Sequence, residues 1–323
     1  MSLYRNAVFI AKGLREFGQS GHATASKSFN TEDLNVDASA ESYMITGANS
    51  GIGYSTAMAI AKKGGTVHMV CRNKERGETA QKAIIDESQN MNVHLHLVDM
   101  LDTRRVFQFA TGFVDEDKQL NVLVNNAGVM FGSLEFTEEG LEKNFVVNSL
   151  GTYVLTDTLI PLLSKNENPR VITVSSGGMY TMKLDLNNLQ SRKGSFDGTF
   201  TYAHQKRQQV IMTEQWGKKY PNIHFYSMHP GWADTPSVRT SMPGFYKRFK
   251  NKLRTPGGGA DTVVWLALSK AALDQENGQF YLDRKAQSLH LTFAATKSSE
   301  EEHQQLMTSL DEIAEQFKTT SST

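Results

Sequence analysis

Between residues 43 and 285, short apolar or β-branched runs alternate with longer stretches of helical period. The runs are Tyr43-Met44-Ile45-Thr46, Thr66 to Cys71, Val93 to Val98, Leu120 to Val124, Arg170 to Val174, His224 to Met228 and Phe280-Tyr281-Leu282. Strands that alternate with helices read as βαβ units, which place parallel strands in one sheet covered on both faces. The pattern predicts a single α/β domain over residues 41–290. Its core is a doubly wound, mostly parallel sheet of seven strands, and no repeat or linker divides it.

Two extensions flank this body. In residues 1–40, Leu3, Ala7, Ile10, Leu14 and Phe17 fall on one helical stripe, with Arg5, Lys12 and Arg15 elsewhere. A stretch rich in Ser, Thr, Ala and Gly then runs to about residue 40 and reads as a loose connector. Such a helix can dock on its own domain, or lie in a membrane interface or serve as a targeting segment. In residues 291–323, Ser299 and Glu302 have the spacing of a capping box, and Leu306, Leu310, Ile313 and Phe317 form a stripe behind it. That helix is expected to pack on the body or on a second subunit.

Composition narrows the function. The chain has 323 residues with 34 Lys+Arg against 34 Asp+Glu, so it lacks the basic footprint of a nucleic-acid binder. One cysteine permits no internal disulfide and no thiolate-rich metal site, which suits a reducing, cytoplasmic setting. No uninterrupted apolar run nears the ~20 residues of a bilayer span, and no compact apolar segment with a small-residue cleavage site opens the chain. Organellar targeting stays open. His94 and His96 alternate on one strand and so share a face; two histidines without a third ligand read as a sheet face, and no metal is expected.

The strongest local signal is Thr46-Gly47-Ala48-Asn49-Ser50-Gly51-Ile52-Gly53, after an apolar strand and before the helical run Ala57 to Ala61. Glycines there permit a tight turn and close backbone approach to a diphosphate, and the helix N-terminus offers free N–H groups. The second strand ends Val70-Cys71-Arg72-Asn73, with no acid from Thr66 to Lys74. A carboxylate near this position would hold a ribose 2′-hydroxyl, whereas Arg72 can pair with a 2′-phosphate. The pattern therefore favours NADP(H) over NAD(H).

Further pieces follow in order: Asp99 after the third strand, Asn125-Asn126-Ala127-Gly128 after the fourth, Asn148 in the next helix, and Ser175-Ser176 ending the fifth strand. Tyr202-x-x-x-Lys206 and Pro230-Gly231 with Thr235 complete the set. Tyr-x-x-x-Lys alone is weak, since Tyr246/Lys250 and Tyr281/Lys285 also match it. Only Tyr202/Lys206 lies between the Ser176 and Pro230 strands, on a helix where i and i+4 share a face. The other two read as a lid helix and a terminal strand. Together these pieces resemble the short-chain dehydrogenase/reductase family from about residue 42 to 285, and the resemblance implies a Rossmann-type fold.

On that resemblance the catalytic set is Asn148, Ser176, Tyr202 and Lys206. A carbonyl that gains hydride on carbon develops negative charge on oxygen, so a proton donor must stand beside it. A free phenol, pKa ~10, holds its proton firmly, and an adjacent ammonium favours the phenolate; Lys206 is expected to supply that field. Ser176, chosen over Ser175 by likeness to the retinol-dehydrogenase-like branch, would hold the substrate oxygen by a bond that strengthens as charge develops. The resemblance further implies that Asn148 steadies its helix and a water leading to Lys206. It implies that Lys206 binds nicotinamide ribose, that Thr235 meets the carboxamide, and that Asp99 and Asn126 border adenosine. Gly47, Ser50, Gly51, Ile52, Gly53, Arg72, Ala127, Gly128, Tyr202, Pro230 and Gly231 complete the cofactor set.

Ser176 to Tyr202 spans 26 positions, about twice the spacing of many family members, so an insertion from Tyr180 to Phe200 is expected to reshape the substrate entrance. Between Thr235 and Ala260, the expected lid carries Arg239, Lys247, Arg248, Lys250, Lys252 and Arg254 and no acid, interleaved with Phe245, Tyr246, Phe249 and Leu253. Contact with anionic lipid or an acidic substrate group would suit it, as would plain solvation. The expectation is an NADP(H)-dependent oxidoreductase that interconverts a lipophilic carbonyl and its alcohol: a steroid, retinoid, fatty aldehyde or lipid-oxidation product. A low-turnover NADP-binding scaffold and a membrane-surface adaptor are the alternatives. A homodimer is implied by the resemblance alone.

Overall fold

The computed structural model describes residues 3–318; residues 1–2 and 319–323, the outer ends of the two extensions, lie outside them. The sheet runs β1 (Ser42–Thr46), β2 (Thr66–Cys71), β3 (Val93–Leu97), β4 (Val122–Asn125), β5 (Arg170–Val174), β6 (His224–Met228), β7 (Phe280–Leu282) and β8 (Lys285–Ala286). Its order is β3-β2-β1-β4-β5-β6-β7-β8, parallel except for the last pair. The chain starts at the centre, winds one way to β3 and then returns past β1, so the carboxyl ends of β1 and β4 form a crevice where ligands bind in such sheets.

The eighth strand corrects the expectation of seven. It pairs Leu282 with Lys285 and Tyr281 with Ala286, and the turn residues Asp283 and Arg284 both have positive φ, +51° and +58°. Two residues are too few to show a period, and the turn lacks the Asn-Gly or Asp-Gly signal that marks such hairpins.

The helices are α1 (Leu3–Lys12), α2 (Gln19–Ala25), α3 (Gly51–Ala61), α4 (Lys74–Ser88), α5 (Thr103–Asp115), α6 (Lys143–Leu163), α7 (Gly198–Lys219), α8 (Pro236–Ser241), α9 (Pro243–Phe249), α10 (Pro256–Leu268) and α11 (Glu300–Lys318). One apolar layer unites the sheet with α5, α6, α7 and α11, and the other with α3, α4 and α10. By length and composition α6 could cross a membrane, which the reading of apolar runs did not anticipate. It is the central core helix, with 83% of its most apolar window buried. Residues Val146–Leu150 within it form a π-turn.

His94 and His96 do lie on a sheet face, and His68 joins them from β2. His68 Nδ1 and His96 Nε2 stand 3.0 Å apart, and burial holds both rings well below the ordinary imidazole range, to about 3 and about 4.

The N-terminal helix docks on the body through the end of its stripe: Phe17, in a π-turn after α1, is buried, and Arg5 donates to the carbonyls of Ala294 (2.8 Å) and Thr181 (3.0 Å). The other large members of the stripe face outward, with Leu3 91%, Ile10 49% and Leu14 50% exposed. The expected loose connector is also built: α2 and two short 3₁₀ turns occupy it, and Trp265 Nε1 donates to Asp33 at 2.7 Å. At the other end Ser299 and Glu302 form both capping-box bonds, 2.7 and 3.2 Å, and α11 buries Leu306, Leu310, Ala314 and Phe317 on the body.

Arg254, expected among the basic lid residues, is a buried clamp. It pairs with Asp283 through both guanidinium ends and donates to the carbonyls of Phe17 (2.8 Å) and Glu16 (2.7 Å). It thereby ties the N-terminal segment to β7 and to the chain after β6. Removing one partner strands a buried charge. Arg254→Met or Asp283→Asn is expected to destabilise the protein by roughly 3–5 kcal/mol, read by thermal or denaturant unfolding; a loss below 1 kcal/mol would refute the clamp.

Candidate active site

The glycine-rich turn follows β1 because Thr46 fastens its base. Thr46 Oγ1 accepts the N–H groups of Asn126 and Ala127, both at 2.9 Å, and Asn126 Nδ2 returns a bond to the Thr46 carbonyl at 2.8 Å. Gly47 and Gly51 take φ of +67° and +56°, which side chains rarely adopt. A Cβ on Gly53 would stand 2.5 Å from Asn126 Nδ2 and from the Gly47 carbonyl oxygen. Ser50 occupies the N-cap of α3 without a side-chain cap bond, unlike Asn73, Asp102, Asp197 and Thr255 on their helices. The first N–H groups at Gly51, Ile52 and Gly53 are thus left for another acceptor, and a diphosphate has the matching chemistry.

Around this turn the structure gathers the other expected cofactor residues. Arg72 is exposed at the end of β2 and has no hydrogen-bond or ion-pair partner among the described residues. Asp99 accepts from the Leu101 N–H at 3.0 Å. Across the crevice, Gly231 has φ +72°, and the methyl group of Thr235 would lie 3.2 Å from a Cβ on Gly51. Thr235 Oγ1 caps α8 by accepting from the Val238 N–H at 3.3 Å. Pro230 and Gly231 are held in place by the Trp232 N–H, which donates to the Phe17 carbonyl at 2.7 Å. Gly128 permits a close approach: a Cβ there would stand 3.2 Å from Asn148 Oδ1, tighter than an ordinary contact, and 3.5 Å from Lys206 Nζ.

Asn148 and Lys206 meet at Gly128, and Tyr202 and Ser176 adjoin Lys206. Ser176 Oγ accepts the Gly178 N–H at 3.1 Å and acts on the Tyr202 phenol in the direction that favours its ionised form. Ser175 turns the other way, donating to the Lys206 carbonyl at 2.8 Å, so it joins β5 to α7. Lys206 Nζ lies 5.3 Å from the Tyr202 ring centre and donates to the Val174 carbonyl (2.8 Å) and Gln209 Oε1 (2.9 Å).

Electrostatics correct one expectation. Burial pushes the Tyr202 phenol up to about 12, opposed by Ser176, and burial pulls the Lys206 amine down to about 7. The amine is therefore only partly charged at neutral pH, and its field does not offset the desolvation of the phenol. Gln209 links Asn148 to Lys206 directly, its Nε2 donating to the Asn148 carbonyl at 2.6 Å. The row of polar residues around it carried no recognisable sequence signal. Asn148 Nδ2 donates to Gln205 Oε1 (2.7 Å), Gln205 Nε2 to the buried Glu142 (3.1 Å), and Ser149 Oγ to Gln208 Oε1 (2.6 Å).

The insertion folds as 3₁₀ turns at Gly177–Thr181 and Leu186–Asn188, pinned by His204 Nε2, which accepts the Asp185 N–H at 3.0 Å. It borders a concavity of about 140 Å³ lined in part by Met182, Phe196, Phe200 and His204. In the lid, Arg239 is neutralised by Asp234 at 2.7 Å and Arg254 is buried. Lys247, Arg248, Lys250 and Lys252 remain exposed without an ion-pair partner among the described residues. Glu214, Glu300 and His303 could also hold a metal by proximity, but Lys218 already pairs with both carboxylates, at 2.8 and 2.7 Å.

The sequence pattern described as short chain dehydrogenase matches residues 41–185. The Homo sapiens protein "Dehydrogenase/reductase SDR family member 12" is 53% identical over 318 residues, 98% of this chain and 100% of that one. The chain belongs to the short-chain dehydrogenase/reductase family. Human "Retinol dehydrogenase 11" is 34% identical over 74% of this chain and 76% of its own. Among solved structures, a chain from Escherichia coli CFT073 described as a short chain dehydrogenase and complexed with NADPH superposes with a TM-score of 0.62. It is 23% identical and covers 79% of this chain and 100% of its own; it shares the fold. The family's oxidoreductase chemistry on alcohols and carbonyls thus applies to a chain whose crevice brings Ser176, Tyr202 and Lys206 together.

The contact at Gly53 gives a direct check. Gly53→Ala must displace main chain, whereas Gly132, with nothing within 4 Å of its Cβ position, tolerates alanine. Calorimetry is expected to show a loss of about 1–3 kcal/mol for Gly53→Ala and little change for Gly132→Ala; equal melting of the two would contradict the packing.

Proposed function

We propose that this protein is an NADP(H)-dependent oxidoreductase that reduces a lipophilic aldehyde or ketone with Tyr202 as general acid. The observation that carries the reading is the buried Lys206 amine, 5.3 Å from the Tyr202 ring centre, in the crevice where Ser176 holds the Tyr202 phenol down. A scaffold has no physical need for that arrangement.

The residues present fit the cofactor. The uncapped start of α3 matches a diphosphate, unpaired Arg72 matches a 2′-phosphate, and Gly128 keeps room beside Lys206. NADPH, when bound, supplies hydride to the carbonyl carbon. Ser176 donates to the substrate oxygen and stabilises the charge that grows there. Tyr202 is protonated at neutral pH, the form required to give its proton to that oxygen. Lys206 offers an N–H to the ribose side and, near its own titration point, returns a proton to the phenolate. The likeness to a protein named retinol dehydrogenase supports a lipophilic substrate.

In purified protein given NADPH and a panel of aldehydes and ketones, Tyr202→Phe is expected to lose at least about 100-fold in kcat. In the same assay Arg72→Ala raises KM for NADPH but not for NADH. Equal NADPH oxidation by wild type and Tyr202→Phe would reject the mechanism.

A second property, peripheral membrane contact, is favoured by the outward stripe Leu3, Ile10 and Leu14. The segment that carries the stripe packs on the lid through its buried side, since Phe17 contacts Trp232, which contacts Phe245 and Phe249. Lipophilic substrates would reach the crevice from such a surface. Sedimentation with anionic vesicles is expected for wild type and lost in the triple variant Leu3→Ser, Ile10→Ser, Leu14→Ser, which spares the buried Phe17. Wild type that stays in the supernatant would refute the contact.

A further inference from the structure

Lys206 is buried, yet among the described residues no carboxylate pairs with it. Its polar surroundings are few. Its own helix α7 presents the Tyr202 ring and Gln209, β5 presents the Val174 carbonyl, and the loop after β4 presents Gly128 without a side chain. From α6 comes Asn148, and the nearest acid along this network, Glu142, connects only through Gln205 and Asn148. An amine has three N–H donors in its charged form. Two are taken by Val174 and Gln209.

The orientation of the Gln209 amide is dictated by its neighbours. The Asn148 carbonyl can only accept, so it requires the Nε2 end, at 2.6 Å; the Lys206 ammonium can only donate, so it requires the Oε1 end, at 2.9 Å. A flipped amide would set oxygen against oxygen and N–H against N–H. All three residues are buried, so solvent offers no substitute partner and each lost bond leaves a desolvated group. The carbonyl that anchors the amide belongs to the π-turn Val146–Leu150, and Gln205 and Gln208 fasten the same turn from the same helix.

We propose that Gln209 is a positioning residue for catalysis: its amide favours the charged form of the Lys206 amine against burial, fixes the amine beside Gly128, and couples it rigidly to the Asn148 main chain. The role rests on the reading of Tyr202 and Lys206 given above. Gln209 touches neither substrate nor cofactor; it acts through Lys206. Because the link is a side chain, it does not exchange with solvent, and the amine's proton affinity is set by one amide dipole.

The test uses the full chain in two variants. Gln209→Leu removes both bonds at similar volume. Gln209→Glu keeps an acceptor for Lys206, adds a facing charge and loses the donor to Asn148. Lys206 is titrated by the NMR shift of its ε-carbon in lysine-labelled protein, assigned with Lys206→Met, and kcat and KM are measured against pH. The expected result is that the Lys206 titration moves to lower pH in Gln209→Leu and upward by about one unit or more in Gln209→Glu. In step with this, kcat falls about 10- to 100-fold in Gln209→Leu, with KM for the carbonyl within about twofold. The pH at which the remaining Gln209→Glu activity is lost should move the same way as its titration. If Gln209→Leu does not fold, the titration and pH profile of Gln209→Glu decide alone. An unmoved Lys206 titration in Gln209→Glu, or unchanged kcat in a folded Gln209→Leu, overturns the proposal. Should Tyr202→Phe turn over like wild type, the catalytic reading falls instead, while the Lys206 titration still reports on Gln209.

Discussion

An amine buried without a counter-ion is the constraint around which the reactive half of this structure is arranged. Moving an ammonium out of water is unfavourable unless fixed acceptors replace its hydration. Here one acceptor is the Val174 carbonyl at the end of β5, held by parallel pairing to β4 and β6. The other is Gln209, held in turn by the π-turn of α6. Sheet register and helix irregularity are thus both tied to the same nitrogen. An apolar residue at 206 would pack with less penalty, so the polar network is retained at some expense of stability, as is common at functional sites.

A second constraint acts across the crevice. The loop after β6 must approach the glycine-rich turn closely enough that Thr235 sits within van der Waals reach of Gly51. Loops rarely hold such positions alone. This one is held from behind: the Arg254 N–H donates to the Trp232 carbonyl, the Trp232 N–H and Arg254 Nε both donate to the Phe17 carbonyl, and Asp283 neutralises the guanidinium. The N-terminal segment is therefore part of the wall of the crevice at Glu16 and Phe17, while its opposite side carries Leu3, Ile10 and Leu14 to the surface. One short helix serves both tasks because its two sides are chemically different.

The strands and the turn chemistry were legible because both are local. Seven apolar runs mark seven strands to within two residues at each end, and the glycines at 47, 51 and 53 announce a turn by their own conformational needs. Tyr202 and Lys206 could be placed because i and i+4 on a helix is also a local relation. What escaped was non-local or silent. Arg254 looked like one cation in a basic lid, since nothing in its vicinity in sequence reveals Asp283 or the carbonyls of Glu16 and Phe17. Gln205, Gln208 and Gln209 sit on a helix buried on nearly every side, where no amphipathic stripe separates core from surface. The N-terminal stripe was visible as a pattern but its side stayed open, because hydrophobic period identifies a face without saying what it meets.

The protonation states bear on direction. With the phenol of Tyr202 pushed up to about 12, it is neutral throughout the physiological range and has a proton to give. Oxidation of an alcohol would need the reverse, a phenolate ready to accept. With Lys206 pulled down to about 7, a proton lost from Tyr202 is replaced from a group that exchanges readily at neutral pH. In the proposed carbonyl reduction such a donor would stay loaded beside a reservoir near its midpoint, and burial is the common cause: the desolvation that makes the lysine awkward to bury also keeps the tyrosine charged with its proton. The two shifts have one origin, and a mutation that admitted water to this crevice would relax both together, lowering the phenol and raising the amine.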